Sequence, residues 1–157
     1  MPRRPIQFRR EIQPDPKFGN VMIERFANHL MKGGKKTLAR SIIYKSFNII
    51  SETAKQDPLA IFDQAIRNVS PVLEVRARRI GGANYQIAME VRAERRITLA
   101  MRWILTSARD RSGINMPIKL AAELMDAAKK EGGAMKKRDD VHRMAEANRA
   151  FSHFASF

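Results

Sequence analysis

Side chains that could carry catalysis or hold a metal are few in this chain, which has no cysteine and three histidines. His29, His142 and His153 stand at spacings that match no zinc motif. The acidic residues fall beside arginines on predicted helices, where ion pairing accounts for them. No nucleophile, general base or ligand set can be assembled. The sequence therefore predicts a protein that is not an enzyme and uses neither a metal nor a cofactor.

The segment Gly33-Gly34-Lys35-Lys36-Thr37 invites comparison with a phosphate-binding P-loop. His29 stands at the earlier glycine position, and Lys36 stands where Ser or Thr should follow the lysine. Nucleotide binding is therefore not expected here. Two lysines at the start of a helix remain suited to contacting a phosphate of a larger ligand.

The net charge indicates a polyanionic partner. Thirty lysine and arginine residues against sixteen acidic residues give a formal charge of +14. The hydrophobic content of 44% is sufficient for a core, and the length predicts a single domain, residues 1–157. Nucleic acid is the first candidate for the neutralising surface. A membrane is the weaker choice because no run of residues approaches a spanning helix. The basic N-terminus lacks the apolar core of a secretory signal.

The basic residues collect at five landmarks: an N-terminal arm, the turn after the first helix, a β-ribbon, the start of the fourth helix and a turn before the sixth. A single basic run usually marks a solvated surface. Five runs at element ends and in exposed arms favour contacts with the phosphates of a folded RNA at several points. The predicted RNA-binding residues are Arg3, Arg4, Arg9, Arg10, Lys17, Lys35, Lys36, Arg76, Arg78, Arg95, Arg96, Arg102, Lys136, Lys137, Arg138, His142 and Arg143.

The apolar pattern predicts a mainly α fold, a single domain of six helices with a β-ribbon at about 72–91 between the third and fourth. Residues 1–17 are expected to be an extended basic arm, with a tail without a role as the alternative. Trp103 is expected in the core, with base stacking as the alternative. The predicted helices begin near residues 20, 35, 57, 95, 115 and 139, with Asp57 capping the third and Asp139-Asp140 the last, which runs to about Phe151.

Within the ribbon, apolar residues occupy odd positions on both sides of Gly81-Gly82. A two-residue turn would pair apolar with polar positions, so we favour an odd loop, either Gly81–Ala83 or Ile80–Asn84. This register pairs Val75 with Met89 and Glu74 with Glu90. It places Arg76, Arg78 and Gln86 on the solvent-exposed (wet) face of the ribbon. Near the tip it brings Arg79 to Tyr85. Since an isolated hairpin is marginal, its base must rest on helices and its outer half suits an extended polyanion. An ordinary solvated hairpin is the alternative.

Several stretches together carry a specific likeness to a known family. They are Asp15–Phe18, Gly34–Lys36, Val75–Gln86, Leu99–Trp103 and Lys136–Phe151, of which RRIGGANYQ and VHRMAEAN are the most specific. In this order, and over nearly the whole chain, they resemble the small-subunit ribosomal protein S-seven family of the bacterial or organellar type.

The resemblance implies a structural constituent of the small ribosomal subunit that binds the 3′ major (head) domain of its ribosomal RNA and nucleates head assembly. It implies neighbouring head and platform proteins, and a location in the cytoplasmic ribosome of a bacterium or in the ribosome of an organelle. It also implies a ribbon near the exit-site tRNA and the mRNA exit path. The residues concerned at the tip are Arg78, Arg79, Gly81, Gly82, Asn84 and Tyr85.

One departure from the family pattern concerns the second strand, where Ala88 replaces a proline common in the family, so the ribbon is expected to be straighter or better paired there.

A second class of function is a DNA-bending protein with basic β-arms. Such arms usually need a dimer and an apolar wedge at the tip. The Gly-Gly-Ala-Asn tip supplies no wedge.

Overall fold

The computed structural model describes residues 11–113 and 115–150. These residues form six α-helices and a two-stranded antiparallel ribbon, which confirms the predicted fold class. The elements are α1 Val21–Leu30, α2 Lys36–Ala54, α3 Pro58–Val69, β1 Leu73–Ile80, β2 Ala83–Glu90, α4 Ala93–Asp110, α5 Met116–Ala128 and α6 Gly133–Ala147. Residues 1–10 of the arm predicted at 1–17 lie outside the described residues. The last helix, predicted to run to about Phe151, ends at Ala147.

The backbone groups into two compact units, Met1–Arg40 and Ser41–Phe157. In the first unit, α1 buries Ile23, Phe26, Ala27 and Leu30, the spacing of a helix with one apolar face. In the second unit, α5 packs against both α3 and α4, and α6 packs against α4 and the ribbon. The single domain over residues 1–157 remains a prediction.

Local sequence signals set the starts of two helices. Asn20 Oδ1 accepts a hydrogen bond from the backbone N–H of Met22 at 2.7 Å, and Asp57 Oδ1 accepts one from Leu59 at 3.0 Å. Each bond satisfies a backbone donor that a first helical turn leaves without a partner. The predicted cap at Asp57 is confirmed, and Pro58 follows it at the first helical position.

The start of α6 was predicted wrongly. The helix begins at Gly133 rather than at Asp139, so Lys136, Lys137 and Arg138 lie within it and not in a preceding turn. The cause is a cap from another helix. Glu123 of α5, 1% exposed, accepts a hydrogen bond from the backbone N–H of Ala134 at 2.9 Å. Because this partner lies on a different helix, no local sequence signal marks the boundary.

The predicted register of the ribbon is also wrong. Gly81 and Gly82 form a two-residue turn, and Val75 lies opposite Ala88 instead of Met89. The φ angles of the two glycines are 55° and 92°, both positive as a type I′ turn requires. Glycine adopts these angles without steric cost, and this turn type matches the twist of the strands. Turn chemistry therefore outweighs the alternation of apolar residues. Ala88 is paired within the ladder. That the ribbon is straighter or better paired than one with proline at this position stays a prediction.

The corrected register redistributes the ribbon side chains, because directly opposite residues share a face. Glu74 lies opposite Met89 and not Glu90, and it is 7% exposed. Gln86 lies opposite Ala77, on the face that carries Arg79 and not on the face of Arg76 and Arg78, so the predicted wet face is wrong. The observed partners near the tip are Arg76 with Ile87, Arg78 with Tyr85, and Arg79 with Asn84.

Candidate nucleic-acid interface

The predicted RNA-binding cations divide by what they contact in the structure. Arg3, Arg4, Arg9 and Arg10 lie outside the described residues. Among the described residues, several cations are held by carboxylates or backbone carbonyls, of which Arg76 and Arg95 remain exposed, and others are exposed and form no ion pair. This division, which the sequence alone did not supply, decides which side chains are available to a ligand.

Glu24 of α1 holds two cations from the start of α2. Arg40 donates to its two carboxylate oxygens at 2.7 and 3.1 Å, and Lys36 forms a further ion pair with it. The hydrogen bond from Arg40, together with Lys36, lowers the pKa of Glu24 although burial opposes this shift. Lys36 is therefore partly neutralised within the fold. Lys35 is exposed, and it is the better placed of the two predicted lysines to contact a phosphate.

Glu74 performs the same role at the base of the ribbon. Arg76 pairs with it from the same strand, and Arg95 from α4 donates to its carboxylate at 2.8 Å. Arg96 Nε donates to the backbone carbonyl of Val91 at 2.8 Å. These arginines tie the ribbon to the start of α4. One carboxylate shared by two arginines still leaves an excess of positive charge at this junction.

Two predicted residues of α6 contact the backbone of the last turn of α3 and of the segment that leads to β1. Arg138 donates to the backbone carbonyl of Asn68 at 2.6 Å and pairs with Asp139. His142 Nε2 accepts a hydrogen bond from the backbone N–H of Val72 at 3.1 Å. Burial lowers the pKa of His142, the charge of Arg138 adds to this effect, and Asp139 opposes it. A neutral ring is the state that can accept this bond.

Arg78 is half-buried, and several other described candidates present their charge to solvent. Arg79, Arg102, Lys136 and Lys137 are exposed, and within the described part of the chain no ion pair involves them. Arg143 is also exposed, with Asp140 at 3.6 Å. Lys17 lies with its Nζ 5.3 Å from the centroid of the Phe18 ring, within the range of a cation–π contact.

A groove of about 640 Å³ lies between α4 and α6 and is lined by Trp103, Thr106, Lys136 and Lys137. The predicted core position of Trp103 is only partly correct, because this side chain is half-buried at the groove. The two helices approach closely here. A Cβ added to Gly133 would lie 3.0 Å from Ser107 Oγ. Sequence reasoning missed this groove because the α6 residues that line it were assigned to a turn.

Residues 11–113 and 115–150 contain no group of three or more His, Cys, Asp or Glu side chains arranged to hold a metal ion. Within the same ranges no helix has the length and apolar character needed to cross a membrane.

Known proteins resemble this chain over nearly its whole length. A sequence model of the family described as Ribosomal protein S7p/S5e matches residues 2–149. The relatives include the small ribosomal subunit protein uS7 of Teredinibacter turnerae, 53% identical, and that of Thermomicrobium roseum, 54% identical. Each alignment spans 154 residues, 98% of this chain and 99% of the relative. The counterpart in Burkholderia cenocepacia is 56% identical over the same shares. The chain therefore belongs to the Ribosomal protein S7p/S5e family.

Proposed function

We propose that this protein is a structural constituent of the small ribosomal subunit that binds the 3′ major (head) domain of its ribosomal RNA and nucleates head assembly. The observation that carries the proposal is the family match over residues 2–149, with relatives named as small ribosomal subunit proteins. A ribosomal protein of this family is a structural component and not an enzyme. Its principal ligand is ribosomal RNA.

The charge distribution supports the same ligand. The chain carries a formal charge of +14, and exposed cations lie at the start of α2, on α4 and on α6. Cations placed on separate elements suit phosphates that a folded RNA holds at fixed separations. Lys35, Arg102, Lys136 and Lys137 are the described residues that we expect to make most of these contacts. The paired residues Lys36, Arg76, Arg95 and Arg138 are expected to contribute more through the fold.

The ribbon tip is proposed to contact the exit-site tRNA and to lie near the mRNA exit path. Each strand has eight residues and so extends roughly 26 Å at 3.3 Å per residue. Arg79 is exposed near the tip, and Arg78 lies directly opposite Tyr85. A cation beside an aromatic ring offers a tRNA both a phosphate contact and a stacking surface. Open space surrounds Gly81 and Gly82, so an RNA backbone can approach the turn closely.

The proposed setting is the cytoplasmic ribosome of a bacterium, because the relatives compared above come from bacteria. Within it, neighbouring head and platform proteins of the small subunit are the expected protein partners. We also propose that residues 1–157 work as one domain. Limited proteolysis of the RNA complex tests this point, since cleavage within α2 that releases a stable fragment would contradict it.

The test of RNA binding compares the affinity for a transcript of the 3′ major domain with that for duplex DNA of equal length at matched salt. We expect the transcript to bind more tightly. Lys136→Gln and Lys137→Gln should each reduce the slope of log affinity against log salt concentration by the contribution of about one phosphate contact. Lys129→Gln removes one exposed charge at the end of α5 and serves as the matched control. Equal affinity for transcript and duplex DNA would instead favour the DNA-bending alternative.

A further inference from the structure

We propose that the groove between α4 and α6 is a subsite for one unpaired nucleobase of RNA, with Trp103 as its stacking surface. This inference rests on the proposed RNA-binding function and specifies where one base leaves the RNA and enters the protein. Trp103 is half-buried, and Thr106 is exposed beside it. The groove volume, about 640 Å³, lies within the range of roughly 300–1,000 Å³ typical of small-ligand sites. A base with its ribose fits this space.

Carboxylates in the groove decide between a base and a bare anion. Asp110 and Asp140 line it, and Glu123 lies in its wall, paired with Arg111 at 2.6 Å. Inside the groove these three carboxylates offset the charges of Arg111, Lys136 and Lys137, so the lining as a whole offers a phosphate no net attraction. A neutral base does not need such attraction, and carboxylates can accept hydrogen bonds from its exocyclic amino group. The interior therefore suits a base better than an anion.

The phosphate of the same nucleotide finds its partners on α6. Lys136 and Lys137 line the groove, are exposed, and form no ion pair within the described residues. An RNA strand can thus place its backbone against these lysines while one base turns inward to Trp103. Unpaired bases stacked on aromatic side chains are the usual basis of specific RNA recognition.

The walls of the groove are held by contacts that exist without RNA. A side chain at Gly133 of α6 would place its Cβ 3.0 Å from Ser107 Oγ on α4, so Ser107 would have to shift to admit it. Glu123 accepts a hydrogen bond from Ala134 at 2.9 Å and another from Arg111 at 2.8 Å. Since these contacts fix α4, α5 and α6 together, a base can enter without rearrangement of the helices.

Trp103 is the only tryptophan of the chain, so its fluorescence reports on this groove alone. The intact protein is titrated with a transcript of the 3′ major domain and, in parallel, with a fully paired RNA duplex of equal length. We expect the transcript to quench the emission and to protect the indole from acrylamide. The duplex, which offers phosphates but no unpaired base, should bind more weakly and leave the emission unchanged.

Substitutions separate stacking from charge. Trp103→Leu should lower the affinity for the transcript about ten-fold, because stacking of a base on an aromatic ring is lost. Trp103→Phe keeps an aromatic ring and should retain most of the affinity. Neither substitution should change the affinity for the duplex. Circular dichroism melts verify folding, and if Trp103→Leu does not fold, the quenching and acrylamide protection of the wild-type emission still decide.

The possible failures are distinguishable. If the transcript binds tightly while the emission and acrylamide access of Trp103 stay unchanged, the subsite is wrong and the proposed function stands. Wild-type affinity in a folded Trp103→Leu variant has the same meaning. If the transcript binds no better than the paired duplex, the proposed RNA-binding function fails, and the subsite fails with it.

Discussion

At the scale of single residues, buried carboxylates determine which cations remain available to RNA. Glu24, Glu74 and Glu123 are nearly inaccessible to solvent, and each is paired with at least one arginine. A carboxylate excluded from water requires such partners to stay ionised. The arginine that supplies the pair is then part of the fold. A count of basic residues therefore overstates the number of phosphate contacts that this protein can make.

Removal of the Glu74 charge should loosen the base of the ribbon. Glu74→Gln replaces an acceptor shared by Arg76 and Arg95, and we expect the free energy of unfolding to fall by about 1–3 kcal/mol. Urea denaturation measures this change. Glu90→Gln, at an exposed position of the same ribbon, is the matched control and should have little effect. Equal effects of the two substitutions would contradict a structural role for Glu74.

The stability of the wild type should fall in acid because of His142. Its pKa is lowered in the folded state, so the unfolded chain takes up the proton first as the pH falls below 6.5, the ordinary value. Stability is lost from there down to the lowered pKa and changes no further below it. His142→Gln keeps an acceptor for the N–H of Val72 without titrating. Melting temperatures of both proteins from about pH 7.5 to about pH 5 measure the difference.

In that comparison the contributions of other titrating groups cancel between the two proteins. The wild type should lose stability relative to His142→Gln as the pH falls. A constant difference across the range would show that the hydrogen bond between His142 and Val72 does not depend on protonation of the ring.

At the scale of the elements, sequence reasoning succeeded where one local signal dominates. The apolar stripe of α1 and the Asp57-Pro58 start of α3 both correspond to observed helices. It failed where two signals compete or where the deciding partner is distant. In the ribbon, alternation opposed the glycine turn and the turn prevailed. At α6, the deciding cap is Glu123 on another helix, and side-chain pairing between helices cannot be read from either helix alone.

The turn at Gly81-Gly82 should determine the ribbon register. Gly81→Asn retains a residue that tolerates positive φ, so the pairing of Val75 with Ala88 should persist. Gly81→Val places a β-branched residue at φ 55°, which costs about 1–2 kcal/mol or more. Hydrogen exchange of the ribbon amides should therefore accelerate in Gly81→Val but not in Gly81→Asn. Equal exchange in the two variants would show that strand packing, and not the turn, sets the register.

At the scale of the molecule, the unit Ser41–Phe157 contains two surfaces with different constraints. The exposed lysines of α6 lie over packed helices, and the groove beside them is bounded by fixed contacts. The outer half of the ribbon extends from the pair of Ala77 with Gln86 to the pair of Ile80 with Ala83. The exposed side chains in this half include Ala77, Arg79, Asn84 and Gln86. Changes at the tip should therefore leave the helical packing intact. This separation is the basis for the proposal that the helices serve assembly and that the tip contacts tRNA.

The ribbon can be shortened without loss of register. The shortened variant lacks two opposed pairs, Arg79 with Asn84 and Ile80 with Ala83, and its ribbon is about 7 Å shorter. Gly81-Gly82 then joins Arg78 to Tyr85, which already lie opposite each other. We expect this variant to fold and to enter small subunits at the wild-type level. Binding of tRNA at the exit site should weaken.

The contrasting variant carries Lys136→Glu and Lys137→Glu, and its control reverses Lys129 and Lys130, which are exposed at the end of α5. Arg138 is left unchanged because it supports the backbone at Asn68. Reversal on α6 should lower RNA affinity at least about ten-fold and reduce incorporation, because repulsion replaces two phosphate contacts. Incorporation is measured for all three variants in sedimented small subunits. If the shortened ribbon blocks incorporation as severely as the α6 reversal, the tip takes part in assembly, and the separation of the two surfaces is wrong.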